Sequence, residues 1–517
     1  VAKPTAESAS VFEYSSSGSE ITITGYKGSK TQMVIPDKIS GKSVTTIGSG
    51  SALNGIENVT SIVLPDTVKI IQNNAFSQKT KLERIDLKNI VTIGNNAFEG
   101  CTGLKKISFP ESITAIGESA FSGCTGLACD IILPDSLTSM GAKSTFEGCT
   151  KIRRAKLSKN CETIPISAFE DSSLTGNLEI PEGVVTLDRS SFASTNCTSI
   201  KFSDSVKYIN SNAFRQSSKS LEGELILPKN LEFWGDGLFD HARNVTNKTI
   251  VIPKGVKTIG GDGMAYIMNG YVISVSATGY GTHSFYDVAS YTLEEFVVEE
   301  GNTNFKAVDG VLYTMDSTRL VAYPCCKSTD NGTYEIIEGA KQFDDLSFSL
   351  LSYPGISSSN VKTVKLPSTF EISEYGPVNV NSREAWKTYA CFNTISGGFY
   401  VYNGIQAIEV SEDNPNFKSI DGCVYSKDGT IFWYVPRGKT GELSLPEGTT
   451  KIAHGAFAGV YNACQVSISS LHLPASLQYI DEYTLPWINK LSNGKITIDE
   501  NNPYWTLDDN GDIVAKE

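Results

Sequence analysis

Hydrophobic residues recur along this chain at a regular spacing, with polar residues between them. Nine times a hydrophobic pair, usually Ala-Phe, ends a phrase such as IGNNAF, and seven consecutive gaps between its phenylalanines measure 22 to 25 residues. The phenylalanines are Phe76, Phe98, Phe121, Phe146, Phe169, Phe192, Phe214, Phe239 and, far downstream, Phe457. A period of this length is typical of a solenoid, in which short coils stack on one another.

One repeat, AFEGCTGLKKISFPESITAIGESAF, predicts two short strands per coil. Leu104 and Ile107 occupy inward positions of the first strand, because alternate side chains of a strand point to opposite faces. The second strand carries Ile113 and Ile116, and Gly117 is predicted to permit the turn that follows. A single coil is too small for a core of its own, so roughly three or more must stack before the array is stable.

The repeat resembles that of the BspA-like leucine-rich repeat proteins, whose units read like LxxIxLPxxVxxIGxxAFxxCxxL. The resemblance covers about residues 30 to 265 and returns around 355 to 370 and 443 to 485. It implies a mainly β leucine-rich-repeat solenoid of ~23-residue coils. It also implies a secreted or surface-attached bacterial or protist protein that functions in adhesion and host interaction.

A second kind of duplication appears in the C-terminal half. Residues 299–324 and 411–436 align at a constant offset of 112, with an Asp-Gly dipeptide at the same point of each copy. A truncated third copy follows in DENNPYWTLDDNGDIVAKE. Alternating apolar and polar residues around Asp-Gly predict β-hairpins inserted between coils. We expect these hairpins to continue the strand ladder and to project a tip from the solenoid edge.

These patterns predict a division of the chain into five segments. They are an N-terminal linker (1–10), a leucine-rich repeat array (11–290), a hairpin module (291–345), degenerate repeats (346–400), and a second hairpin module with C-terminal repeats (401–517). The linker would either join an anchored N-terminus to the array or have no such role. The resemblance implies an extracellular or outer-surface location.

Charge and motifs argue against several classes of function. The net charge of −13 disfavours nucleic-acid binding, which needs clustered Lys and Arg. No apolar run approaches the ~20 residues of a membrane helix.

The sequence lacks GxSxG, HExxH, and phosphate-binding and dinucleotide motifs. If Glu299 and Glu300 lie on a strand, these neighbours are expected to point to opposite faces and therefore not to form an acid–base pair. We therefore expect neither enzymatic activity nor a cofactor.

The eleven cysteines permit two interpretations. Cys101, Cys124 and Cys149 each follow a repeat Phe by three residues, which favours a column of small buried hydrophobes, although stacked strands lie close enough for disulfides. The vicinal pair Cys325 and Cys326 could form a strained ring or simply be buried. Zinc has little support, since no CxxC occurs and His241, His283, His454 and His472 are isolated.

Acidic and amide residues around EDNP and DENNP allow either calcium ligation or Asx-turns. The spacing departs from the EF-hand pattern, so Asx-turns that cap strand ends are the favoured interpretation.

The outward positions of the first strands predict a binding surface with basic side chains near its centre. The candidates are Arg84, Lys106, Arg154, Lys156 and Lys201. They could meet an acidic protein or a sulfated or uronic glycan. The alternative is that they only keep the sheet soluble.

Aromatic residues of the C-terminal part give a second candidate surface. Trp433, Tyr434 and Trp505 are candidates for stacking on sugars or for anchoring a protein partner. Trp433 and Tyr434 are adjacent on a predicted strand, so only one of them is expected to be exposed. Three function classes follow: recognition or adhesion through an extracellular protein or glycan, glycan capture for nutrition, and a structural spacer.

Overall fold

The computed structural model divides the chain into two compact units, Val1–Val245 with Gly255–Ala277, and Thr246–Lys254 with Thr278–Glu517. The structure describes residues 5–48, 50–216, 220–235, 237–238, 244–260, 267–268, 271–272, 292–324, 326–343, 359–371, 405–436, 438–453, 456–457, 468–482, 484–491 and 496–516. Phe239, His241, His283, Cys325, His454 and most of the predicted segment 346–400 lie outside these residues.

Short strands make up almost all of the regular structure in both units. The strands of the first half are β1 (Phe12–Ser17), β2 (Glu20–Tyr26), β3 (Gln32–Val34), β4 (Lys38–Ile39), β5 (Lys42–Ile47), β6 (Ser61–Val63), β7 (Ile70–Ile71), β8 (Arg84–Asp86), β9 (Thr92–Ile93), β10 (Ala115–Ile116), β11 (Ile131–Ile132), β12 (Ala155–Lys156), β13 (Thr163–Ile164), β14 (Thr175–Glu179), β15 (Thr186–Leu187), β16 (Asn196–Lys201), β17 (Tyr208–Ile209), β18 (Phe233–Trp234), β19 (Thr249–Ile252) and β20 (Thr258–Ile259).

The remaining strands are β21 (Ile267–Met268), β22 (Tyr271–Val272), β23 (Glu295–Val298), β24 (Phe305–Val308), β25 (Val311–Thr314), β26 (Arg319–Ala322), β27 (Thr333–Glu335), β28 (Gln342–Phe343), β29 (Thr363–Leu366), β30 (Ala407–Val410), β31 (Phe417–Ile420), β32 (Cys423–Ser426), β33 (Ile431–Tyr434), β34 (Gly441–Ser444), β35 (Lys451–Ile452), β36 (Ile468–Leu473), β37 (Tyr479–Ile480), β38 (Ile496–Ile498), β39 (Trp505–Leu507) and β40 (Ile513–Ala515). Within the described residues, the helices are a 3-10 turn at Ala9–Val11 and α1 (Leu485–Asn489).

The first unit is a solenoid of parallel strand ladders, as the repeat predicts. The second strands of successive coils pair side by side in the orders β2-β5-β7-β9-β10 and β13-β15-β17-β18-β20. Ile47, Ile71, Ile93 and Ile116 occupy the same register position and are at most 1% exposed. The prediction that stacking buries the apolar face of each coil is therefore confirmed.

The repeat phenylalanines form a continuous column inside the first unit. From Phe76 to Phe214 the rings stack with centroids 5.0 to 5.6 Å apart, and none is exposed. The backbone reinforces the column, since the N–H of Phe98 donates to Ala120 O at 2.8 Å and the N–H of Phe121 to Thr145 O at 2.9 Å. Burying one such ring stabilises the fold by about 1.5–3 kcal/mol.

The turn before each Phe is made differently from the prediction. The residue two positions before the Phe has a positive φ of 52° to 62°, and these residues are Asn74, Asn96, Ser119, Ser144, Ser167, Ser190 and Asn212. Gly117 is not among the positive-φ residues. A Cβ on Gly117 would lie 2.5 Å from Asn95 N, so this glycine permits the close approach of the preceding coil rather than the turn itself.

Glu7 connects the described start of the chain to the first coils. Glu7 N–H donates to Val34 O at 3.1 Å, and the Glu7 carboxylate accepts from the hydroxyl of Tyr26 at 3.0 Å. Burial and this carboxylate raise the pKa of Tyr26 to about 12. Strand β1 then pairs antiparallel with β2.

The second unit contains the predicted hairpins. β24 and β25 are antiparallel around Asp309-Gly310, and β31 and β32 are antiparallel around Asp421-Gly422, with positive φ at all four turn residues. This is the geometry of a type I′ turn. The sheets β24-β25-β26-β28 and β31-β32-β33-β35-β37 join each hairpin to the coil that follows, so the hairpins continue the strand ladder. β39 and β40 form the third hairpin.

Candidate recognition surfaces

The outward positions of the first strands in the first unit form a surface that we call the first-strand face. Its residues are Arg84, Asp86, Lys106, Ser108, Asp130, Ile132, Arg154, Lys156, Asn177, Glu179, Ser199 and Lys201. The strand ladder fixes their order, because Arg84 bridges Lys106, Ile132 pairs with Lys156, and Glu179 pairs with Lys201. Inward neighbours such as Ile107 are buried. The alternation predicted from the sequence is therefore confirmed.

Only some of the predicted cations are available to a partner. Lys201 is engaged by Glu179, with Nζ and Oε1 2.8 Å apart, and this contact raises the pKa of Lys201. Arg84, Lys106, Arg154 and Lys156 are exposed, and no carboxylate of the described residues lies within 4.0 Å of their charged groups. We call these four residues the basic set.

An apolar side chain lies beside this basic set. Ile132 is 58% exposed, and its register partner on β12 is Lys156. Ser108, exposed on the preceding coil, adds a hydroxyl. The first-strand face thus combines four exposed cations that form no ion pair with a described residue, the carboxylates of Asp86 and Asp130, and one apolar contact. Such an arrangement suits an acidic macromolecule with some apolar surface.

The aromatic candidates of the second unit separate by burial. Tyr434 is 2% exposed and lies in the hydrophobic core, so it is not accessible to a ligand. Trp433 is half-buried against Phe417, with ring centroids 6.4 Å apart. Trp505 is half-buried, and its neighbour Tyr504 is 46% exposed. Trp433 is therefore the more accessible residue of the pair Trp433 and Tyr434, although it packs against the hydrophobic core.

The residues considered for calcium form Asx-turns instead. The three equivalent asparagines Asn302, Asn414 and Asn502 are at most 5% exposed, and each carboxamide accepts two backbone N–H groups at the start of its hairpin. Each also donates to a carbonyl of the preceding coil, as Asn414 does to Phe370 O at 3.0 Å. In the part of the chain that the structure describes, no His, Cys, Asp and Glu cluster has the geometry of a metal site.

The column cysteines are packed as predicted. Cys101, Cys124 and Cys149 are fully buried free thiols, and each Sγ donates to the carbonyl of a Phe in the preceding coil at 3.0 to 3.1 Å. Burial raises the pKa of Cys101 and Cys149 to about 12 and that of Cys124 well above its usual value. Cys326 is buried, while Cys325 lies outside the described residues.

Two pairings were not predicted from the sequence. Lys327 pairs with Asp309 at 3.0 Å, and Lys439 pairs with Asp421 at 2.8 Å, at the same place in the two hairpin modules. The constant offset of 112 residues could have revealed both pairs.

Among the described helices, none is long and apolar enough to cross a membrane.

Comparison of the sequence with protein families identifies a family of repeat proteins. A sequence model described as a BspA type leucine rich repeat region matches residues 26–153, 142–269, 186–307 and 437–504, which together make up well over half of the chain. No match was found among the curated proteins.

Several solved structures resemble the chain. A leucine-rich repeat protein of T. pallidum is 26% identical over 40% of this chain and 86% of its own, with a TM-score of 0.31. A leucine rich cell surface protein of Faecalibacterium prausnitzii is 19% identical over 96% of both chains, with a TM-score of 0.37. The pneumococcal vaccine antigen PcpA is 15% identical over 95% of this chain and 97% of its own, with a TM-score of 0.26.

Proposed function

Because the chain belongs to the family of BspA-type leucine-rich repeat proteins, we propose that it is a non-enzymatic recognition protein, secreted or displayed at the cell surface. The partner is an acidic macromolecule, a protein or a sulfated or uronic glycan, and it binds the first-strand face. This assignment rests chiefly on the basic set of Arg84, Lys106, Arg154 and Lys156, which is exposed and lacks ion-pair partners within the described residues.

Electrostatics support this choice of surface. Elsewhere many exposed lysines of the first unit are engaged by carboxylates, for example Lys105 by Glu83 at 2.7 Å and Lys159 by Asp135 at 3.0 Å. The first-strand face carries five cations and three carboxylates, a net charge of +2 (5 − 3), whereas the whole chain has a net charge of −13. An acidic partner would be steered to this face, whereas a purely structural spacer has no need of such a concentration of charge.

A binding screen of the intact chain at two salt concentrations tests the proposal. The probes are extracellular-matrix proteins, mucin and heparin, with dextran as a neutral glycan. Saturable binding to an acidic probe that weakens in higher salt is the expected result. The double variant Arg154→Glu with Lys156→Glu should reduce that affinity by about tenfold or more.

The matched control is Lys38→Glu with Lys69→Glu. It produces the same charge change at exposed residues beside the second strands of the first unit. An equal loss of affinity in both double variants would show that only net charge matters and would overturn the assignment to this face. Binding to dextran alone would favour glycan capture through the exposed ring of Tyr504 and the half-buried ring of Trp505.

A further inference from the structure

A groove of about 470 Å³ lies in the second unit between β23 and β24. Glu295–Val298 forms one wall and Phe305–Val308 the other, and the turn at Glu299–Asn302 connects them. The opposite end is closed by a hydrogen bond of 2.8 Å from Phe296 N–H to Gly310 O. The volume is within the usual range of small-ligand sites, about 300–1,000 Å³.

The second hairpin module shows how the same place is closed by a side chain. There the N–H of Val410 donates to Ser419 Oγ at 2.6 Å, which links the two walls. The equivalent residues of the first module, 112 positions earlier, are Val298 and Ala307. Alanine has no hydroxyl, so the link cannot form. Met315 likewise takes the position of Lys427, whose Nζ donates to Glu412 O at 2.6 Å.

The strand ladder leaves the N–H of Val298 directed into the groove. The N–H of Glu295 donates to Lys248 O at 3.1 Å and that of Glu299 to Ile252 O at 3.0 Å, both toward β19. N–H groups of successive residues in a strand point to opposite sides, so Val298 N–H, next to that of Glu299, points away from β19. Among the described residues, β23 forms a ladder with β19 and not with β24, and no turn or loop carbonyl accepts a hydrogen bond from this N–H.

The surroundings of this donor are apolar and acidic apart from Lys306, whose Nζ donates to Ser317 Oγ. Val297 and Met315 line the groove and are each 40% exposed, and Val251, the register partner of Val297, is 45% exposed. Glu295, Glu299 and Glu300 lie along the same rim. Of these, Glu300 is exposed and forms no ion pair with any described residue.

We propose that this groove binds an extended peptide segment that carries a basic side chain. One backbone carbonyl of the peptide accepts the hydrogen bond from Val298 N–H, and an apolar side chain packs on Val297 and Met315. The basic side chain pairs with Glu300. Main-chain hydrogen bonding at a sheet edge supplies affinity in such complexes, and the flanking side chains supply specificity. The site belongs to the second unit and is independent of the basic set.

The test uses the intact chain and two fluorescein-labelled peptides, acetyl-Val-Lys-Val-Lys-Val-amide and its Glu counterpart, with fluorescence anisotropy as the readout. We expect saturable binding of the Lys peptide and at least tenfold weaker binding of the Glu peptide. Ala307→Ser recreates the acceptor found at Ser419 and should weaken the Lys peptide about tenfold. An unchanged unfolding midpoint would show that the variant remains folded.

Glu300→Gln provides a second variant that leaves the walls intact. It should weaken the Lys peptide several-fold, whereas Glu412→Gln, the same charge change at the equivalent position of the second module, should not. Equal affinity of the two peptides would overturn the proposal. So would the absence of binding by the unmodified chain, or full affinity in Ala307→Ser.

Discussion

Lys439 Nζ lies 2.8 Å from Asp421 Oδ2 and donates at 2.7 Å to the carbonyl oxygen of the same residue, which joins the chain after β33 to the turn between β31 and β32. Lys439 is only 9% exposed, although its partner carboxylate is largely in solvent. The first module has the equivalent pair in Lys327 and Asp309. The contact therefore fixes the tip of each hairpin against its own module.

Replacing Lys439 by methionine should lower the free energy of unfolding by about 1 kcal/mol, since the backbone acceptor at Asp421 loses its donor. Asp421→Asn keeps that carbonyl and should cost less, because an exposed carboxylate contributes little. Urea unfolding followed by tryptophan fluorescence would report both, through Trp433. A larger loss in Asp421→Asn than in Lys439→Met would assign the contribution to the carboxylate instead.

Left-handed backbone at Ser119 should make this position sensitive to branching at Cβ. Its φ is 52°, a conformation that costs an L-residue roughly 1–2 kcal/mol and a β-branched residue more. Ser119→Val should therefore lower the thermal midpoint, while Ser119→Gly should leave it unchanged or raise it. Ser108→Val, at an exposed first-strand position, is the control and should be nearly neutral. Equal effects of Ser119→Val and Ser108→Val would contradict the role of φ.

These features show which parts of the fold the sequence could predict. The Phe column and the Asp-Gly turns repeat at fixed spacing, so period and turn chemistry were sufficient. The residue with positive φ is Asn in some coils and Ser in others, as at Asn96 and Ser119. Because its type varies, the sequence did not mark this position as the turn, and Gly117 was predicted instead. No propensity rule distinguishes a glycine needed for close backbone approach from one needed for positive φ.

The candidate sites were predictable to a smaller extent. Alternation placed Lys106 and Arg154 correctly on the outer face. The repeat alignment places Lys201 and Glu179 at the same position of neighbouring coils, so their ion pair could have been predicted from the sequence. The groove beside Val298 is lined by Ala307 and Met315, where the second module has Ser419 and Lys427, and the meaning of these differences appears only when the two modules are compared in three dimensions.

The buried thiols should be inert in the native protein. Only the thiolate attacks an alkylating agent, and the raised pKa of Cys101, Cys124 and Cys149 keeps them protonated at about pH 8. Iodoacetamide followed by peptide mapping should therefore modify them only after denaturation. Half-buried Cys129 should react earlier than these three. Modification of Cys124 as fast as Cys129 would indicate that the coils open readily, and failure to label after denaturation without reductant would indicate a disulfide.

Acid should weaken the second hairpin module through Asp428. Its carboxylate accepts from Ser426 Oγ at 2.6 Å and from both Thr430 N–H and Oγ–H at 2.9 Å, and these bonds lower its pKa from 3.8 to about 2. Because the folded-state pKa is lower than the unfolded one, the stabilisation is complete above about pH 4 and is lost as the pH falls toward about 2.

Asp428→Asn removes this titration and so provides the measurement. Its unfolding midpoint should be below that of the unmodified chain at neutral pH, and the difference should shrink between about pH 4 and about pH 2. Asp37→Asn, which removes an exposed carboxylate in the first unit, is the control for the loss of one negative charge and should have little effect on the unfolding midpoint at neutral pH. A gap between Asp428→Asn and the unmodified chain that stays constant down to about pH 2 would mean that hydrogen bonding by the neutral side chain, and not the charge, holds the turn.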